Sequence, residues 1–123
     1  MNIVYVAVGG MLGAVARYVL GGLIHRAYPG TFPLGTMVIN VLGCVVIGLL
    51  TTLADDRGVL SPQMRLFLFI GVLGGFTTFS SFGYETFALM RDGWLRAATT
   101  NVLANVVLGL GGVWLGHIGA RLL

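Results

Sequence analysis

The stretch GVLGGFTTFSSFGYE, residues 71–85, interrupts an apolar segment that is otherwise long enough to cross a membrane. Gly74 and Gly75 weaken a helix, and the side chains of Thr77 and Thr78 can bond the backbone locally in place of the helical ladder. Non-helical backbone at membrane depth is tolerated only where it is buried in protein or lines a polar cavity. In transport proteins such interruptions lie at ion or substrate sites. The stretch therefore predicts a third transmembrane helix that is broken mid-membrane.

The rest of the chain has the composition of a membrane protein. Of its 123 residues, 57% are hydrophobic and only 9% are charged, whereas a soluble surface carries about 25–35% charged residues. A helix of about 20 apolar residues covers a hydrocarbon core of about 30 Å. Four spans of that kind are predicted, at residues 2–24, 34–54, 65–90 and 97–119. The three prolines lie between spans, so we expect one all-α domain, residues 1–123, surrounded by the lipid bilayer.

The seven basic residues are all arginines, and they are scattered singly along the chain. The predicted spans place Arg57, Arg65 and Arg121 on the side of both termini, and Arg26, Arg91 and Arg96 on the opposite side. Three against three gives the positive-inside rule no bias. A chain without bias can insert in both orientations and pair as an antiparallel, dual-topology homodimer; the alternative is a weakly biased protein with one orientation. Because no basic patch exists, nucleic acid is not an expected partner.

Polar side chains form two stripes inside the predicted spans. Thr36 and Asn40 lie four residues apart in the second span, and Asn101 and Asn105 repeat that spacing in the fourth. A buried amide without a partner costs several kcal/mol, so each must bond another helix or face water. Interhelical bonding explains each asparagine singly. Two stripes beside a broken helix also fit a shared polar pathway.

Two charged residues fall within the spans. Arg17 lies inside the first, where an ionisable residue marks a functional site unless its side chain snorkels to the interface. Glu85 lies beyond the glycine pair and is compatible with a vestibule. An ion pair between Arg17 and Glu85 is open at this stage.

The break itself suggests chemistry for both a cation and an anion. Carbonyls released at Gly74 and Thr77 would be oxygen ligands suited to a hard cation such as Na⁺. Phe79 and Phe82 are three residues apart, on one face of the restarted helix, and the edge of an aromatic ring is electropositive. Two such edges could solvate a small anion, with N–H donors from the asparagines at 40 and 105. Core packing is the alternative explanation for the two phenylalanines.

Three blocks of this sequence resemble the Fluc/CrcB fluoride channel family. They are GGMLGAVARY (9–18), GTMVINVLG (35–43) and GGFTTFSSFGYE (74–85). The similarity runs through all four spans and includes NVLAN (101–105) and WLG (114–116). The third block is the most discriminating.

This resemblance implies a dual-topology homodimer in the bacterial plasma or inner membrane, with two antiparallel fluoride pores and a structural Na⁺ at the dimer centre. By matching position, the Na⁺ ligands would be the backbone carbonyls of Gly74 and Thr77, and the arginine of the vestibule would be Arg17. The anion path would be lined by Asn40, Phe79, Phe82, Ser80, Thr36 and Asn105. The chain departs from common family residues at Ser81, where threonine is frequent, and at Asn105 and Gly109, where some members carry serine or threonine.

The expected function is passive export of fluoride, which relieves fluoride toxicity. The alternative is a small dual-topology, proton-coupled multidrug exporter, but that design needs a membrane carboxylate in the first helix, and residues 2–24 contain none. An enzyme is not expected, because no serine lies in G-x-S-x-G. The histidines also lack metal-ligand spacing with Cys44.

Overall fold

The computed structural model describes all 123 residues, and its regular structure is entirely helical. Four helical segments are long and apolar enough to span a membrane, namely Asn2–Ala27, Leu34–Arg57, Pro62–Arg91 and Leu95–Leu122. The prediction of four apolar spans is confirmed. Each segment extends a few residues past one or both predicted ends, because helical hydrogen bonding continues into the polar flanks that hydropathy excludes.

We label Asn2–Ala27 α1, Leu34–Arg57 α2 and Leu95–Leu122 α5. The third span contains two helices. The first, α3, covers residues 62–76 and comprises α-helical Pro62–Arg65, π-helical Leu66–Leu73 and α-helical Gly74–Phe76. The second, α4, covers Phe79–Arg91.

Between α3 and α4 the backbone is extended at two residues. Thr77 has φ −84° and ψ 156°, and Thr78 has φ −148° and ψ 114°. Thr78 is the N-cap of α4, since its Oγ1 accepts a hydrogen bond from the Ser81 amide at 3.3 Å. The helix thus continues through Phe76, two residues beyond the glycine at which sequence reasoning ended it, because glycine lowers helix propensity without stopping a helix.

The helices pack as two parallel pairs whose contacts are lined by glycine. In the α1–α3 pair, a Cβ on Gly75 would lie 2.5 Å from the Gly10 carbonyl oxygen. In the α2–α5 pair, a Cβ on Gly116 would collide with the Val45 carbonyl and lie 2.8 Å from the Leu49 amide. Such contacts let helix backbones approach closely, as membrane helices do.

Very little of the chain is covered by the chain itself. Only 16 of 123 residues are buried, and only six of these are core hydrophobic residues. Large apolar side chains are exposed on every helix, including Phe79, whose exposed fraction is 83%. This surface distribution is that of a protein whose apolar exterior is covered by something other than water.

Candidate functional site

The candidate site is organised by Asn40, which binds the extended backbone between α3 and α4. Its Oδ1 accepts a hydrogen bond from the Thr78 amide at 2.9 Å, and its Nδ2 donates to the Thr78 carbonyl at 3.1 Å. Both backbone groups of a residue without helical bonds are therefore satisfied by one side chain of α2. An amide can do this because it carries a donor and an acceptor side by side. This reciprocal pair explains why the break tolerates an apolar environment.

A cavity of about 410 Å³ opens at this point. It brings together most of the predicted anion-path residues, and its lining includes Asn40, Thr77, Phe79, Phe82 and Asn105. The two phenylalanine rings are 5.6 Å apart between centroids and tilted by 52°. Because the rings are tilted, they do not stack face to face, and the arrangement is one that aromatic quadrupoles favour.

The second polar stripe lies on α5 and reaches both α2 and α4. Asn105 Nδ2 donates to the Asn101 carbonyl at 2.8 Å and to Asn101 Oδ1 at 3.0 Å. Asn101, only 1% exposed, donates from Nδ2 to Thr86 Oγ1 at 2.9 Å. The Asn105 oxygen lies 3.5 Å from Asn40 Nδ2. Four side chains from three helices thus form one connected polar network.

A second, larger cavity of about 860 Å³ lies toward the α1–α2 loop. Arg17, Thr36 and Glu85 all line it, as do the polar residues Thr78 and Ser81. Thr36 Oγ1 donates to Glu85 Oε1 at 2.8 Å, while Glu85 Oε2 is buried without a partner. The ion pair left open by the sequence is not formed, because the only salt bridges are Arg65–Asp55 and Arg91–Asp92.

The carbonyls suggested as cation ligands differ in their bonding. The Thr78 amide would bond the Gly74 carbonyl in a continuous helix, but it donates to Asn40 instead. The Thr77 carbonyl accepts no hydrogen bond from the chain. No cluster of three or more His, Cys, Asp or Glu side chains is present that could hold a metal ion.

Ser80 stands apart from the other predicted residues. It is exposed, lines neither of the two cavities, and has its Oγ 3.4 Å from Thr78 Oγ1. Sequence reasoning missed two groups that the structure places in the network: the Thr86 hydroxyl and the backbone of Thr78. Polar residues at the right helical spacing can be read from a sequence, but the partner of a backbone group cannot.

The fold and site together define a small multi-pass membrane protein whose polar side chains converge on an interrupted helix. Residues 4–117 match the family described as "CrcB-like protein, Camphor Resistance (CrcB)". The match spans nearly the whole chain, so this chain belongs to the CrcB family.

Similar curated proteins carry one name. The chain is 46% identical over 116 residues to "Fluoride-specific ion channel FluC" of Methylobacillus flagellatus, covering 94% of this chain and 91% of the relative. The protein of that name from Opitutus terrae is 49% identical over 118 residues, covering 94% and 89%. The protein from Solibacter usitatus is 47% identical over 121 residues, covering 98% and 99%. The family is one of membrane channels, and this chain is a multi-pass membrane protein and not an enzyme.

Proposed function

We propose that this protein is a passive, fluoride-selective channel that exports F⁻ across the bacterial cell membrane. The observation that carries the proposal is the cavity at the α3–α4 interruption, where Asn40 and two tilted phenylalanines meet. The names of the similar proteins supply the identity of the ion. Hydrogen fluoride enters cells as a neutral acid and ionises inside, so an anion leak toward the outside relieves toxicity.

The physical argument for fluoride concerns how its water is replaced. A small, strongly hydrated anion needs N–H donors or electropositive edges spaced along a narrow route, each weak enough to release it. One Asn40 N–H bonds the Thr78 carbonyl at 3.1 Å, and the other reaches Asn105 only at 3.5 Å. That second hydrogen is bound weakly enough to be given to an anion. The ring edges of Phe79 and Phe82 would complete the path.

The interruption is part of this proposal as a mid-membrane feature. The third span runs for 30 residues from Pro62 to Arg91, and Thr77 is the sixteenth of them. A spanning segment places its central residues near the bilayer midplane, where transporters bind their ions.

The proposed assembly is an antiparallel homodimer. Its support is the equal division of six arginines between the two sides and the 83% exposure of Phe79 beside the cavity. An anion path with one wall open to lipid could not hold a hydrated ion. A second copy on this face would close it.

A structural Na⁺ at the dimer centre is proposed with the assembly. The donor set fits the ion, because backbone oxygens suit a hard cation and the Thr77 carbonyl has no partner within the chain. Gly74 and Thr77 would hold the ion through these carbonyls, and its charge would stabilise the extended backbone of both subunits.

The larger cavity is proposed as the vestibule. Arg17 is half-buried there without an acidic partner, so its charge would raise the local concentration of anions. Thr36 lines this cavity and Asn105 lines the smaller one, and both are proposed to face the anion path. Ser80 is proposed for that path on the family resemblance alone.

The exporter alternative is weaker. A proton-coupled exporter of this size needs a carboxylate in its first helix, and α1 contains no acidic residue. Glu85 is the one carboxylate in the interior of a span, and its Oε1 is bonded to Thr36.

The test is efflux from liposomes that contain the purified protein and are loaded with potassium fluoride, with a potassium ionophore to remove the electrical limit. A fluoride electrode should record rapid release, and matched chloride-loaded vesicles should release no more than protein-free vesicles. Equal release of both anions, or no fluoride release, would overturn the proposal. Labelling both termini from one side separates the assemblies: half of the termini should react, and uniform protection or reaction would exclude dual topology.

A further inference from the structure

The strongest further inference concerns which asparagine gives a hydrogen to the anion, and it rests on the proposed channel function. Sequence alone suggests that Asn40 and Asn105 both donate. The hydrogen bonds around α5 give these two residues different roles.

The orientation of Asn105 is fixed by a backbone group. Its nitrogen lies 2.8 Å from the carbonyl oxygen of Asn101, which can only accept, so that end of the amide must be the donor. A second contact at 3.0 Å joins the same nitrogen to Asn101 Oδ1. Both Asn105 hydrogens are therefore used within α5, and its oxygen faces the cavity.

The orientation of Asn101 is fixed in turn by α4. Thr86 Oγ1 donates its single hydrogen to the Phe82 carbonyl at 2.7 Å, so it can only accept from a neighbour. The Asn101 group 2.9 Å away must be the nitrogen. This leaves Asn101 Oδ1 directed to Asn105. Because Asn101 is 1% exposed, no water competes for these bonds.

Asn40 is oriented independently by the Thr78 backbone, which bonds its oxygen at 2.9 Å and its nitrogen at 3.1 Å. One Asn40 hydrogen is left, and the nearest acceptor is the Asn105 oxygen at 3.5 Å. That distance is at the limit of a hydrogen bond. The network thus runs in one direction from Phe82 through Thr86, Asn101 and Asn105 to Asn40.

We propose that Asn101, anchored by Thr86, is a positioning residue that turns the oxygen of Asn105 toward Asn40, so that Asn40 alone gives an N–H to the anion. The Asn105 oxygen is a weak placeholder acceptor for that N–H. An arriving fluoride displaces it without having to break a short bond, and it meets one donor instead of two. One donor keeps binding weak, as conduction requires.

The chain offers a matched pair of threonines for the test. Thr86 and Thr99 both donate to the carbonyl four residues earlier, at 2.7 and 2.9 Å, but only Thr86 also accepts from an asparagine. Thr86→Val removes that acceptor at constant shape. Thr99→Val removes an equivalent hydroxyl from the exposed surface of α5.

The measurement is NMR of the full-length protein, labelled with ¹⁵N-asparagine and reconstituted in lipid nanodiscs with sodium. The chain has four asparagines, so four side-chain NH₂ pairs are expected, and Asn2→Gln and Asn105→Ala assign two of them. Titration with sodium fluoride should move one Asn40 proton in the wild type and leave the Asn105 pair in place. In Thr86→Val the Asn105 pair should also move, while Thr99→Val should match the wild type.

Movement of the Asn105 protons in the wild type would overturn the inference, and that result needs no variant to fold. An unchanged Asn105 response in folded Thr86→Val would do the same. Fluoride flux in liposomes should fall about fivefold in Thr86→Val, since a second donor would hold the ion longer.

A fluoride-free experiment separates this inference from the proposed function. Exchange of the Asn105 side-chain protons with solvent should be about tenfold faster in Thr86→Val than in the wild type, because one network bond is lost. Equal exchange rates would reject the orientation of Asn105 itself. Absence of any fluoride response together with absent flux would instead reject the channel, whatever the exchange rates.

Discussion

The contact between α2 and α5 has two ends that differ in chemistry. At one end glycines bring the backbones together, and a Cβ on Gly48 or Gly116 would strike a carbonyl of the facing helix. At the other end Asn40, Asn101 and Asn105 form a polar network. The same two helices are thus joined by dry backbone contact over one half and by amide groups over the other.

The difference teaches what the interruption in the third span requires. Where α2 faces only α5, small residues are sufficient, because close packing drives helix association in lipid. Where α2 faces Thr78, an extended backbone must be satisfied, and an asparagine supplies both partners. Four predictions test this division, from the largest expected effect to the smallest.

Gly116→Ala should destabilise the folded protein by about 3 kcal/mol, because the added Cβ would overlap the Val45 carbonyl and force the helices apart. Thermal denaturation in detergent, followed by circular dichroism, measures the effect. Gly111→Ala is the control, since a Cβ there meets nothing within 4 Å. Equal stability of the two variants would show that the dry half is not closely packed.

Asn40→Leu should cost about 2 kcal/mol, because the amide and carbonyl of Thr78 would both lose their partner. Fluoride flux should be lost as well. The same thermal measurement applies, combined with liposome efflux. A variant as stable as wild type would mean that the extended backbone finds other partners.

Phe79→Ile and Phe82→Ile should each reduce fluoride flux at least about tenfold, which is about 1.4 kcal/mol, with the fold intact. The reason is loss of the ring edges that line the cavity. Phe87→Ile is the control, because this phenylalanine of α4 is exposed and lines neither cavity. Unchanged flux in both cavity variants would exclude the two rings from the anion path.

Thr52→Val should cost about 1 kcal/mol, because the Thr52 hydroxyl donates to the Gly48 carbonyl at 2.8 Å and lies 2.8 Å from His117 Nδ1. This polar pair at the dry end is closed on itself, so fluoride flux per folded protein should stay at the wild-type level. The exposed neighbour Thr51 has no side-chain hydrogen bond, and Thr51→Val should leave stability unchanged. Loss of flux in folded Thr52→Val would extend the functional region to the dry half.

Much of the architecture could be predicted from the sequence. Hydropathy gives four spans because lipid selects for continuous apolar length. The paired glycines and threonines at 74–78 indicated where helical order ends, although the helix continues to Phe76. The exact end depends on which amide is diverted, and the Thr78 amide is diverted by a side chain 38 residues earlier in the chain.

The candidate site was only partly predictable. Residue type and spacing identified Asn40, Asn105, Phe79 and Phe82, and the structure places all four around one cavity. The direction of the amide groups could not be read from spacing. It depends on Thr86 and on backbone carbonyls that belong to other turns and other helices.

The sequence by itself determined a four-span membrane protein of the CrcB family, because apolar length and a distinctive motif are local properties of the chain. Only the tertiary structure decided which hydrogens are free for an ion. A buried donor is available or consumed according to its neighbours in space, and here those neighbours come from three different helices.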